Sequence, residues 1–139
     1  MPPDPVRVAD AGAWLAKANL DLRSAQVDVE ADPPLLGDAL FHCQQAVEKA
    51  LKAFLTWHDE PFRKTHDLVE LGGRCVSLDR GLEDIVRPAA RLTEYAWKFR
   101  YPGEVSEPTR AEAATAQAVA AGVVAAIEQR LPHDTRAGQ

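Results

Sequence analysis

Apolar residues recur along most of the chain at the three- and four-residue intervals of a helix. Leu15, Ala18, Leu22, Ala25 and Val29 form one such stripe. It predicts a first amphipathic helix over about 10–31, stopped by Pro33 and Pro34. Leu36, Leu40, Cys43, Val47, Ala50 or Leu51, Phe54 and His58 give a second stripe, over about 35–58. Its opposite face carries Gln44, Gln45, Glu48, Lys49 and Lys52, with Glu48 and Lys52 at i and i+4 in the order that supports a helix. After the turn at Asp59, Glu60 and Pro61, Thr65 is placed to cap a short third helix through Leu68, Leu71 and Cys75. Gly72 and Gly73 weaken that helix and are expected to end it early. A fourth helix carries Leu82, Ile85, Ala89, Leu92, Ala96 and Phe99, with Pro88 as a kink or a first-turn proline, and ends at Pro102 and Gly103. A fifth starts near Ser106 to Pro108 and runs to about Leu131, with Ala113, Ala116, Ala120, Val124, Ile127 and Leu131 along one face. No segment alternates with period two for long enough to make a strand. The pattern predicts an all-α fold: an antiparallel, up-and-down bundle of about five helices over residues 10–131, with flexible tails at 1–9 and 132–139.

Composition narrows the function classes. A chain of 139 residues is expected to form one domain. Two cysteines, Cys43 and Cys75, are no disulfide framework, and both fall at apolar positions, as small buried hydrophobes do. The N-terminus shows no signal-peptide pattern, and no stretch of uncharged apolar residues is long enough to span a membrane. A cytoplasmic protein is expected. The net charge of −5 argues against a general nucleic-acid coat protein. The charge is unevenly spread, however. Between Arg87 and Tyr101, Arg87, Arg91, Lys98 and Arg100 face a single anion, Glu94, and the segment holds four of the nine aromatic residues.

Signatures of common catalysts are missing: there is no Gly-rich phosphate loop, HExxH, paired CxxC or GxSxG. His42 and His58 are too far apart on one helix to share a metal, so neither a metal site nor a cofactor is expected. Three segments carry candidate chemistry. His42, Gln45, Lys49 and Lys52 line one side of the second helix. They read either as a stripe facing a nucleotide, RNA or a partner, or as a solvated face, and composition favours the latter. Arg63, Lys64 and His66 open the third helix, whose free N–H groups suit phosphate. The alternative there is a capped loop with surface charges. Lys98, Phe99, Arg100 and Tyr101 set cations beside aromatic rings, an arrangement that holds phosphate and stacks bases.

Taken in order, Trp14 with Leu22, the run from Phe41 to Leu55 (FHCQQAVEKALKAFL), KTHDLVEL from Lys64 to Leu71, and LTEYAWKFRYP from Leu92 to Pro102 resemble the HEPN domain family. The resemblance covers nearly the whole chain. It implies a helical bundle, a homodimer, association with nucleotides or RNA, and a small nucleotidyltransferase partner in a toxin–antitoxin-like module. Many family members are metal-independent endoribonucleases that use an Arg and a His four to six intervening residues later. Arg100 is the matching Arg here, but no His follows at that distance. The chain looks like a subgroup with R-Y-P at that position, for which a binding role is expected through Arg100, Lys98 and Tyr101, joined by Lys49, Arg63 and His66. The alternatives are a ribonuclease that pairs Arg100 with His66 or His42, and an interaction module whose basic face docks an acidic protein.

Overall fold

The computed structural model describes residues 4–103 and 106–136. Five α-helices follow in order: α1 (Pro5–Glu30), α2 (Leu36–Trp57), α3 (Leu68–Leu78), α4 (Glu83–Val86) and α5 (Arg110–Arg130). Short 3₁₀ segments occupy Arg80–Leu82, Arg87–Ala96 and His133–Arg136. Among the described residues there is no strand, as the periodicity predicts.

Helix α2 is the centre of the bundle. It packs against α1, α3, α5 and the Arg87–Ala96 segment. Its apolar residues, from Leu40 through Phe54 and Leu55, are buried. The polar face is where sequence and structure part. Gln44, Gln45, Glu48 and Lys52 are also buried, so a solvated stripe is not what these residues form. Where neighbouring elements cover this part of the helix there is no solvent for its polar residues to meet, and they must find partners inside the protein.

Several element boundaries differ from those the sequence predicts, each for a local reason. Helix α1 begins at Pro5 because Asp4 accepts a hydrogen bond from the Val6 N–H and Pro5 suits the first turn. At the other end, Thr135 is buried and its carbonyl lies where a side chain on Gly12 would be, so the packed chain extends past 131. The cap of α3 is Asp67, not Thr65. The Asp67 carboxylate accepts from the Val69 N–H, whereas Thr65 Oγ1 accepts from Asp67 N–H in the turn before. Gly72 and Gly73 do not end α3; Gly72 is buried at a point where a Cβ would come within 2.5 Å of Val86 Cγ1. The predicted fourth helix becomes the four-residue α4 and then a 3₁₀ segment, with the change at Arg87 and Pro88. Proline supplies no N–H to continue an α-helical ladder. Helix α5 starts at Arg110, a little later than predicted, where Thr109 and Glu112 form a reciprocal capping box. Its predicted small-residue face, Ala113, Ala116, Ala120, Val124, Ile127 and Leu131, is buried. Helix α5 is also the one described helix long and apolar enough to cross a membrane, and this face lies against the bundle core.

Candidate functional site

The buried polar face of α2 is satisfied by two sets of partners. On the α1 side, Asp21 accepts from His42 Nδ1 at 2.8 Å and from Lys49 Nζ at 2.6 Å. Asp21 and Asp28 sit in the register of the buried α1 stripe with Leu15, Ala18 and Ala25, while Leu22 and Val29 are only partly buried. The stripe therefore turns carboxylates toward α2. Burial, together with the neighbouring Asp38 carboxyl, pushes the Asp28 carboxyl up to about 6.

On the other side, Glu48 is the hub. It is 4% exposed and bonds Lys52 Nζ at 3.1 Å and His66 Nδ1 at 2.6 Å. Gln44 Nε2 donates to Glu48 at 3.3 Å and to the His66 carbonyl at 3.2 Å. Lys52 is 6% exposed, and its ammonium also lies 5.3 Å from the Trp14 ring centroid and 5.7 Å from that of Phe62. This buried charge thus has a carboxylate and two aromatic faces around it, as a desolvated ammonium requires.

Arg100 lies over the Phe41 ring, its guanidinium carbon 4.0 Å from the centroid. Among the described residues it has no carboxylate partner. Phe41 and Glu48 are two turns apart on one side of α2, about 10 Å along the axis. Arg100 and His66 are thereby held against the same side of one helix. The His66 side chain remains largely exposed beyond its bond to Glu48.

The other sequence-predicted residues fall elsewhere. Lys98 is paired with Glu94 at 3.1 Å, and Arg63 with Glu70 at 2.9 Å. Lys49 is committed to Asp21 on the α1 side of the stripe. Tyr101 is 72% exposed, beside Arg100 in sequence. The start of α3 is already occupied: the Leu68 N–H donates to Thr93 Oγ1 and the Val69 N–H to Asp67. An open helix N-terminus for phosphate at residues 63–66 is therefore corrected to a capped turn. His66 pairs with Glu48, not with its neighbour Asp67.

Gln44 and Glu48, read from sequence only as part of a polar helix face, become central here, and Asp21, Phe41 and Phe62 are not singled out as site residues by sequence reasoning. For Asp21 a signal existed, since it recurs three residues after Ala18 and four before Ala25. For Phe62 and Phe41 there was none, because their partners are distant in the chain. Cys43 and Cys75 are free and buried, and burial pushes both thiols up to about 12.

No curated protein sequence matches this chain. In structure it is similar to TT1696 from Thermus thermophilus, with a TM-score of 0.74 and 30% identity over 88% of this chain and 99% of that one. The HEPN domain family matches residues 11–130, which takes in every residue of the Arg100–His66 face, and the chain belongs to that family.

Proposed function

We propose that this HEPN-domain protein binds the phosphate of a nucleotide or RNA on the α2 face bounded by Arg100 and His66. One observation carries the reading. An exposed arginine without a carboxylate partner among the described residues and an exposed histidine lie against the same side of α2. A guanidinium free of a carboxylate is available to a phosphate, which it meets with two parallel hydrogen bonds. Tyr101 supplies an exposed ring next to it for a base. Lys98, Arg63 and Lys49 are secondary members, because each must leave an acidic partner before it meets an anion. Under this reading the protein works as a homodimer in the cytoplasm, with a small nucleotidyltransferase as partner in a toxin–antitoxin-like module. Two free thiols suit that compartment.

The test is binding of nucleotides and short single-stranded RNA, followed by fluorescence anisotropy over a salt series. Arg100→Ala should weaken binding about tenfold, as expected for one hydrogen-bonded charge. It should also flatten the logarithmic salt dependence by about 0.7 for a single strand. Arg100 is exposed, so the variant retains its fold. Binding and salt slope equal to those of the unaltered protein would overturn the site.

A second reading, a metal-independent endoribonuclease, has its own support. A carboxylate only accepts, so the Glu48 bond places a proton on His66 Nδ1, and in the neutral imidazole Nε2 is then the acceptor of a largely exposed side chain. Such an acceptor can take the proton of a 2′-hydroxyl, and Arg100 can stabilise charge on the phosphorus oxygens. Cleavage of RNA in the presence of EDTA, abolished by either Arg100→Ala or His66→Ala, would establish it. Intact RNA would retire it and leave the binding role.

A further inference from the structure

A second cluster stands at the α1–α2 turn, apart from the Arg100–His66 face. Asp28 comes from the end of α1, and Asp38 and His42 lie one turn apart near the start of α2. An oxygen of each carboxylate and a ring nitrogen of His42 all lie within 4.8 Å of one another. His42 Nε2 and Asp38 Oδ2 are 3.5 Å apart. Asp28 is 8% exposed, and its Oδ2 is buried without a hydrogen-bond partner.

Such an oxygen is costly, because burial removes its water and nothing replaces it. Asp38 can hydrogen-bond Asp28 only when one of the two carboxyls carries a proton; with both ionised the two are facing acceptors, and Lys49 is held by Asp21. The orientation of His42 adds a second, independent point. Asp21 accepts from Nδ1 at 2.8 Å, so in the neutral imidazole the proton sits there and the Nε2 lone pair is turned toward Asp38. A carboxylate behind one ring nitrogen, with the other nitrogen directed at anionic oxygens, is how metal-ligating histidines are held. Donor atoms on a tetrahedral zinc ion stand about 3.3 Å apart. The His42–Asp38 separation is close to that edge, and small side-chain rotations bring Asp28 to it.

We propose that Asp28, Asp38 and His42 bind one divalent transition-metal ion, zinc or manganese, at the α1–α2 turn, with Asp21 as the positioning residue for His42. The imidazole selects such ions over magnesium and calcium, which take oxygen ligands. Water completes the coordination shell. The ion neutralises facing carboxylates and ties the end of α1 to the start of α2. Ligands drawn from two helices are invisible to spacing along one, which is why comparing His42 with His58 gives no metal site. The inference does not depend on the phosphate reading, whose residues are different.

Chelator-stripped protein, dialysed against zinc and in parallel against cobalt(II), tests it. One ion per chain is expected, with visible cobalt absorption bands and a raised melting temperature. Asp28→Asn and Asp38→Asn should each abolish binding while keeping far-ultraviolet helicity; Asp38 is exposed, so that variant is structurally mild. His58→Ala should bind as the unaltered protein does. No bound ion in the unaltered protein, or unchanged binding in Asp38→Asn, would overturn the proposal. So would loss of binding in His58→Ala, or displacement of zinc by equimolar magnesium.

Discussion

Glu48 and Lys52 show how one pair of residues changes meaning with burial. On an exposed helix, an i and i+4 pair contributes about 0.3–0.5 kcal/mol. Here both side chains are buried, and His66, Gln44, Trp14 and Phe62 surround them. Removing one partner leaves the other charge without compensation in a poor solvent for it. Glu48→Ala should therefore destabilise the protein by about 3 kcal/mol in urea unfolding. Adding Lys52→Met to that variant should recover much of the loss, since an apolar side chain of similar length fits between Trp14 and Phe62. A solvated pair would lose a few tenths of a kcal/mol in the first variant and gain nothing from the second. The pairing was legible in the spacing of the two residues. Their burial was not, because it depends on Trp14 and Phe62, which reach the site from α1 and from the loop before α3.

At the scale of elements, adjacent glycines in α3 have opposite expectations. A Cβ on Gly73 meets nothing within 4 Å, so Gly73→Ala should stabilise by about 0.5–1 kcal/mol through helix propensity. A Cβ on Gly72 would crowd Val86 at 2.5 Å, and Val86 is stiff about its own Cα–Cβ bond. Gly72→Ala should destabilise by about 1–2 kcal/mol, read as a lower denaturation midpoint. Sequence treats both glycines as helix breakers; only the approach of α4 separates them. Asp79, just after α3, accepts from Arg130 Nε at the end of α5 at 2.8 Å and from the Gly81 N–H at 2.9 Å. The hydrogen bond from Arg130, with that from Gly81, lowers the Asp79 carboxyl below its ordinary value of 3.8. A carboxyl lowered on folding adds stability that is present above its unfolded value and lost as pH falls through its folded value. Asp79→Asn should thus flatten stability against pH below about pH 4 and leave the profile near neutrality with the same slope.

For the whole molecule, net charge and local charge act at different ranges. A chain of net −5 repels a long polyanion at a distance, while the segment around Arg100 attracts a phosphate within about a Debye length, roughly 8 Å at physiological salt. Salt screens the long-range repulsion as well as the local attraction, so long RNA should lose less affinity with rising salt than a short ligand does. The outer side of α5 is built from Ala111, Ala114, Ala118, Ala121 and Ala125, which are exposed and small enough for another helix to approach closely. Light scattering during gel filtration should give twice the 15.2 kDa chain mass, as the proposed homodimer requires. A single-chain mass at all concentrations would remove the dimer from the functional reading.

Helical periodicity, proline and glycine punctuation and the order of motifs sufficed for the all-α class, for most of the core and for the family. Those features are local, and helix formation reads residues three and four apart. The placement of polar residues was decided elsewhere. Whether Glu48 faces water or Trp14, whether His66 meets Asp67 or Glu48, and whether Asp28 faces solvent or Asp38 all depend on contacts between elements. A polar side chain takes its chemistry from its surroundings, and packing between distant parts of the chain creates those surroundings. The cationic aromatic segment was visible in sequence, but only the fold leaves Arg100 without a carboxylate partner among the described residues, while Lys98, Arg63 and Lys49 are each paired with one.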